Sequence, residues 1–440
     1  MTIQEASTAL RARKISSVEL TKQCLARIDA DNPRLNAFIT VTAESAIRQA
    51  EALDREFVEK GPRGPLHGIP IAHKDIVFTK GVRTTSGSKL FAGFVPDRDA
   101  EVAKKLTAAG AVMVGKTGLH ELAYGITSNN PHFGAVRNPC DPERIPGGSS
   151  GGSGTALGTG MCLLATGTDT GGSIRIPASF CGIAGLKPTY GLVSRKGVQP
   201  LGFSLDHIGP MAATVRDVAI GFEAMAIEQP ELPSGAPIGG WRIGLPENYY
   251  FDSCDPEVRA AVERACRKAE DLGARCVPVR VPDVAALNAV ARVILMAEAS
   301  AIYEKHLSRR DQFGADVLNL LDQGLLIRGT DYVQAQRLRK KQVAEFRRVF
   351  QQIDFLFTPC TPTAAPKIGQ TEVEIGGKVE DVRLATTSLV RAINVLGFPA
   401  LAMPCGRTSG GLPIGLQIVA RPFDDSALLN LGMLLEEAIG

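Results

Sequence analysis

Apolar positions recur through the first sixty residues at the spacing of helix faces. From Ser16 or Ser17 onward Val18, Leu25 and Ile28 fall on one face, and Glu19 stands where a capping box needs it. A shorter amphipathic helix precedes this one and residues 43–59 predict a third, so the chain opens with helices whose apolar sides clamp a core. The period then changes. GPRGPLHG reads as a loop, and Ile69-Pro70-Ile71-Ala72 as a short buried strand that delivers Lys74 at its end. A helix over 100–109 capped by Asp99, a strand over 111–114, a Gly/Ser-rich segment and a strand over 162–166 follow. That alternation predicts an α/β sheet covered by helices on both faces.

Farther along, Asp255-Pro256-Glu257 is a helix start, with Asp as cap and Pro in the first turn. A strand over 279–281, a solvated helix over 334–352, and strands over 354–359, 400–403 and 416–419 complete the pattern. No internal repeat marks a boundary. Residues 228–240, rich in Pro and Gly, read as a linker or equally as a surface loop.

Composition removes several classes of function. Basic and acidic side chains number 49 and 46 and are spread along the whole chain, so no basic face predicts nucleic acid as a partner. Nine cysteines are odd in number, scattered and without a CxxC pair, which predicts reduced, mostly buried thiols and neither a disulfide framework nor a zinc site. The N-terminus has no signal-peptide apolar core, so cytoplasmic residence is expected. Residues 145–168 carry no charge and have the length of a membrane span, but their glycines and serines make a poor apolar helix, and no membrane partner is expected.

Two motifs fail on context. Gly110 to Thr117 fits GxxxxGK[ST] letter for letter, yet Ala111-Val112-Met113-Val114 wants to be the strand itself, where a phosphate loop needs exposed amides. Gly147-Gly148-Ser149-Ser150-Gly151 contains GxSxG, but a loop precedes it where a nucleophile elbow needs a strand. Histidines occur singly and HExxH is absent, which argues against a catalytic metal.

What remains is hydrolytic chemistry without histidine. A serine hydroxyl needs a base, and a lysine supplies one when burial lowers its pKa toward neutrality. Lys74 follows an apolar run and is a candidate; the plain alternative is a surface lysine neutralised by Asp75. Thr170-Gly171-Gly172-Ser173 lets successive N–H groups converge on one point, as an oxyanion requires, or simply makes a tight turn.

GIPIAHKD around Lys74, GGSSGGSG around Ser149 and CLLATGTDTGGSIRIPASFCGIAGLKPTYG around Ser173 together resemble the amidase signature family. VGKTGLHELAYG, TPCTPTAAPKIG, NVLGFPALAMPCG and GLPIGLQIVA stand in the family's order, so the likeness covers nearly the whole chain. The resemblance implies one domain over 1–440 with a large mixed central sheet. Residues 1–60 would be packing helices, 61–220 the signature core, and 221–440 the rest of the sheet and its covering helices. It implies Ser173 as acylated nucleophile, Ser149 as a bridging serine after a cis peptide bond, and Lys74 as the base behind it. The amides of Thr170, Gly171, Gly172 and Ser173 would bind the oxyanion, with Asp169, Arg175 and Ser150 as supports. Its chemistry calls for no cofactor and no metal.

The expected activity is hydrolysis of a small amide, with aryl carbamates or esters within reach of the same machinery. The alternatives are the glutaminase component of a tRNA-dependent amidotransferase, working with a partner, and an inactive scaffold; a homodimer is a further expectation. Substrate contacts are expected from residues 122–129, with Tyr124 and Gly125, from Gly148, and from residues 202–207. Neither stretch holds an arginine, so neutral or apolar substrates are favoured. His73, just before the lysine, stands where many family members carry an apolar residue.

Overall fold

The structure, a computed structural model, describes residues 1–228, 230 and 235–440. Eleven strands make one mixed sheet: β1 (Phe38–Val41), β2 (Pro70–Lys74), β3 (Val112–Thr117), β4 (Leu164–Asp169), β5 (Ala184–Lys187), β6 (His207–Ala212), β7 (Arg242–Pro246), β8 (Arg275–Val279), β9 (Phe355–Pro359), β10 (Ala400–Arg407) and β11 (Pro413–Ala420). Their order across the sheet is β1-β3-β2-β4-β6-β5-β10-β11-β9-β7-β8. Pairing is parallel for β3–β2–β4 and for β9–β7–β8, and antiparallel elsewhere.

Neighbouring residues on a strand point to opposite faces, and here both faces are buried. Ile71, Leu164, Leu401 and Ile418 join one core cluster, while Ala72, Ala165 and Ala402 join another. The first face is covered by α1 (Ile3–Arg11), α4 (Glu101–Ala108), α7 (Val215–Met225), α8 (Pro256–Asp271) and α14 (Asp425–Ile439). The opposite face carries α2 (Ser17–Leu35), α3 (Ala43–Lys60), α5 (Gly151–Gly158) and α6 (Arg175–Cys181). The remaining helices are α9 (Val284–Tyr303), α10 (Ala315–Leu325), α11 (Gly329–Val349), α12 (Val382–Thr387) and α13 (Arg391–Leu396). Of these, α9, α11 and α13 pack on the far end of the sheet.

The opening helices form as their spacing predicts. Ser16 Oγ accepts from Glu19 N at 3.1 Å while Glu19 Oε2 accepts from Ser16 N at 2.8 Å, closing the capping box of α2. Asp99 does not cap α4: its Oδ1 accepts from Lys80 N at 2.7 Å, and the helix starts beyond Ala100 without a side-chain cap. The strand expected over 279–281 lies earlier, over Arg275–Val279, because its register with β7 decides its bounds.

The charge-free stretch over 145–168 folds as a turn, the helix α5 and the start of β4. Helix formation there goes against glycine's propensity. A Cβ on Gly152 would lie 2.4 Å from both N and O of Gly118, so only a glycine face lets this helix rest against backbone. Gly115, the second glycine of the rejected phosphate-loop pattern, has a similar reason: a Cβ there would meet Thr40 O of the adjoining strand at 2.4 Å. By length and composition α9 would suit a membrane span; in this fold it packs against α10, α11 and α13.

The expectation of nine reduced cysteines is corrected. Cys266 and Cys276 are joined as a disulfide between α8 and β8, ten residues apart. Spacing carried no sign of it, because the helix reversal into the strand brings the two Cα atoms to 6.5 Å. The other seven are free, and all but Cys140 are buried. Of the linker candidate over 228–240, residues 229 and 231–234 lie outside the described residues. Ile238 within it is buried in the core cluster on the first face, and β7 follows in the same sheet.

Candidate active site

Lys74 ends β2 with its side chain fully buried, and its Nζ donates to three hydroxyls: Ser149 Oγ at 2.8 Å, Ser150 Oγ at 2.9 Å and Thr168 Oγ1 at 2.8 Å. Among the described residues no carboxylate touches it. Burial pushes its pKa down from 10.5 to about 7, against the pull of Asp169 and Asp206. Asp75 is not its partner. That carboxylate faces Lys116 at 3.5 Å and accepts from Thr85 N at 2.9 Å. The lysine of the phosphate-loop pattern is thus half of a buried ion pair, with further bonds to Val77 O and Thr84 Oγ1. His73 is buried on the same strand, its Nδ1 3.4 Å from Thr166 Oγ1, and burial with the Lys116 charge lowers its pKa to about 3. It is a neutral ring turned toward Thr166.

Ser149 and Ser150 enter from the turn before α5, and the Gly148–Ser149 peptide bond is cis. Ser150 Oγ donates to Thr168 O at 3.2 Å, tying this turn to β4. Ser150 N also donates to Ser173 O at 3.3 Å, which brings in the second serine loop. Among the described residues Ser173 Oγ has no hydrogen-bond partner, and the residue is 6% exposed, so its hydroxyl is open to an incoming group.

The loop before Ser173 is organised by Asp169, at the end of β4. Its Oδ1 accepts from Gly172 N at 2.8 Å and Arg175 Nη2 at 2.9 Å; its Oδ2 accepts from Ile174 N at 3.2 Å and Arg175 Nε at 3.0 Å. Burial alone would raise this carboxyl, and the Arg175 charge overturns that to hold it well below the carboxylate range. Asn394 of α13 adds a donor to Asp169 O at 2.7 Å. One of the four amides in the expected set already has a partner. Gly172 N–H is committed to Asp169, so Thr170, Gly171 and Ser173 supply the N–H groups left free. Thr170 is held by its hydroxyl, which donates to Asp206 Oδ1 at 2.7 Å.

A cavity of about 450 Å³ opens beside Thr168 and Thr170, lined also by Ala123, Phe203, Asp206 and Arg195. The 122–129 and 202–207 stretches therefore both reach this cavity. Tyr124, Gly125 and Gly148 do not line this cavity. Tyr124 is buried with an unpartnered hydroxyl; a Cβ on Gly125 would strike His120, and one on Gly148 would strike Ile126. The two stretches hold no arginine, as read from the sequence, but one comes from elsewhere in the chain. Arg391, the first residue of α13, lies against Gly171: its Nε is 3.8 Å from where a Cβ on Gly171 would stand. Sequence reasoning missed Arg391, Thr168 and Asn394. Thr168 sits in the GTDTGGS run and its alternation with Thr166 along a strand was a signal; the other two come from more than 200 residues away and left none.

A family model described as Amidase matches residues 19–429. The A component of the glutamyl-tRNA(Gln) amidotransferase of Chloroflexus aurantiacus is 41% identical over 471 aligned residues, covering 98% of this chain and 95% of that protein. A solved amidase structure is 36% identical, covers 100% of both chains and superposes with a TM-score of 0.95. The solved A component of the Thermotoga maritima glutamyl-tRNA(Gln) amidotransferase is 32% identical with a TM-score of 0.81, covering 99% of this chain and 94% of that one.

Proposed function

The chain belongs to the amidase signature family, and from that membership we propose that it cleaves an amide C–N bond through an acyl-enzyme on Ser173, with Ser149 and Lys74 as the proton relay. The observation that carries the proposal is the fully buried Lys74 amine, bonded to hydroxyls and 2.8 Å from Ser149 Oγ. A base in the relay must be neutral to act, and a pKa of about 7 leaves a large neutral fraction at physiological pH.

Lys74 Nζ takes the proton of Ser149 Oγ, which takes that of Ser173 Oγ as the latter attacks the amide carbon. The developing oxyanion is met by the free N–H groups of Thr170, Gly171 and Ser173. As the C–N bond breaks, the proton returns through Ser149 to the leaving nitrogen, giving an amine or ammonia and an acyl ester on Ser173. Water then adds by the same relay, the ester C–O bond breaks, and the acid leaves with Ser173 reprotonated. Asp169 takes no proton in this scheme; it holds the turn that aims the amides. The same steps would serve a carbamate or an ester in a suitable pocket.

A second reading is favoured by the names of the relatives: the amide would be that of glutamine, with the ammonia passed to a partner protein. Backbone likeness favours the first, with the amidase superposing more closely than the solved amidotransferase component. Co-purification with a second protein and strict dependence on glutamine would decide for the amidotransferase; turnover of other small amides by the chain alone would decide for the amidase. For both readings, a fluorophosphonate is expected to label the wild-type protein at Ser173 and to leave Ser173→Ala unlabelled. Turnover in that variant should fall by roughly 10³-fold or more while its melting temperature is kept. Labelling or turnover that survives the substitution would remove Ser173 from the mechanism.

A further inference from the structure

Arg391 stands beside Gly171, and two further arginines, Arg292 and Arg383, act on its charge. Arg391 Nε is sealed from solvent and has no hydrogen-bond partner, and Tyr124 Oη, equally sealed, has none either. Among the described residues Arg292, Arg383 and Arg391 form no ion pair with any carboxylate. Arg292 and Arg383 lie close enough to Arg391 to act on its charge, and all three act on the Tyr124 phenol. Burial and the two like charges push the Arg391 pKa down to about 10; the groups that oppose this are the phenols of Tyr124 and Tyr249, not acids. Asp316 is near Arg383, but its Oδ2 is engaged with His120 Nε2 at 2.9 Å.

A guanidinium kept in place with a sealed, unbonded N–H and two like-charged neighbours is unfavourable for folding by itself. Such an arrangement becomes favourable when an anion enters, because a carboxylate accepts charge-assisted hydrogen bonds from an arginine fork. The position is telling: Arg391 Nε and Cγ both lie within 4 Å of the space in front of Gly171 Cα. Arg292 is exposed and Arg383 and Arg391 are partly buried, and the two neighbours add positive charge around Arg391.

Resting on the amide-hydrolysis reading, we infer that Arg391, backed by Arg383, Arg292 and the Tyr124 hydroxyl, is a carboxylate subsite, and that the substrate is a small amide bearing a carboxylate at its other end. The neutral or apolar class expected from the two pocket stretches is thereby replaced. The reacting steps are unchanged; the arginines bind and orient and take no part in proton transfer.

The test uses full-length Ser173→Ala protein, which cannot turn substrate over, titrated calorimetrically with the monoamides of three- to five-carbon diacids and with butanamide as neutral control. At least one monoamide is expected to bind more tightly than butanamide, with an affinity that weakens as salt is raised. Adding Arg391→Gln should weaken that binding by about tenfold or more, Arg391→Lys by less, and Arg292→Gln by about threefold. Should Arg391→Gln fail to fold, Arg391→Lys and Arg292→Gln carry the same comparison. Equal affinity for butanamide and the monoamides, no heat with any monoamide, or a preference that survives the arginine substitutions would overturn the inference. Failure of the amide-hydrolysis reading shows separately, as wild-type protein that neither takes a fluorophosphonate label nor hydrolyses any amide.

Discussion

In the proposed mechanism Lys74 carries the pH behaviour of the site. With its pKa at about 7, kcat/KM is expected to rise with pH through neutrality and level off above it, since the relay needs the free amine. Lys187 is held in the same range by burial, so the assignment depends on Lys74→Ala losing that rising limb along with most of its activity near neutral pH. Stability follows with a definite sign. The unfolded chain holds the Lys74 proton up to about 10.5, whereas the folded protein releases it from about 7, so unfolding takes up a proton between these values. Stability therefore rises with pH across that window, and the penalty for a protonated, buried amine is full below 7. Denaturant midpoints from pH 6 to pH 10 should show the wild type gaining on Lys74→Ala by a few kcal/mol, roughly; midpoints that stay parallel would place the amine in water.

Helix α5 shows how one element makes the site from residues that disfavour it. Its glycines give up helix propensity so that the helix can lie on the backbone near Gly118, and this contact holds Ser149 and Ser150 over Lys74. Gly152→Ala is expected to destabilise the protein by about 3 kcal/mol, because its methyl meets peptide atoms that have nowhere to go. Gly64→Ala, with nothing within 4 Å of the added carbon, should change stability by less than about 1 kcal/mol. Chemical denaturation of the two variants checks both values, and equal midpoints would mean that α5 has room to shift. Strand β4 is the matching element: it carries Thr168 to the lysine and Asp169 to the turn before Ser173 at adjacent positions.

Across the molecule one sheet joins the two halves of the chain, β1–β6 lying together on one side and β7–β11 on the other. Strand β5 pairs with β10, and the core cluster on one face joins Ile71 and Leu164 to Ile243, Leu401 and Ile418. The expected outcome is a single cooperative calorimetric transition for all 440 residues, with residues 61–220 alone failing to fold. Two resolved transitions would divide the chain near residues 228–240. The active site shares this dependence, since Asp169 and Arg175 of the first half are completed by Asn394, Val390 and Gln417 of the second.

Local pattern was enough to reveal the capping box at Ser16, the buried strand ending at Lys74, and the rejection of the phosphate loop in favour of a strand. Each depends on residues within a few positions of one another, where periodicity and turn chemistry act directly. The family resemblance likewise rested on contiguous motifs, and the structure brings Lys74, Ser149 and the Ser173 loop together. Which acid answers which base was not legible. Asp75 turned from its neighbour to Lys116, and Gly172 N–H turned to Asp169, because these choices depend on what else is buried nearby. The same holds for Cys266 with Cys276 and, above all, for Arg391 beside Gly171. Chain order told which groups are present and which short segments carry them; only packing decided which charge meets which, because burial makes each buried group answer to whatever else the fold brings beside it.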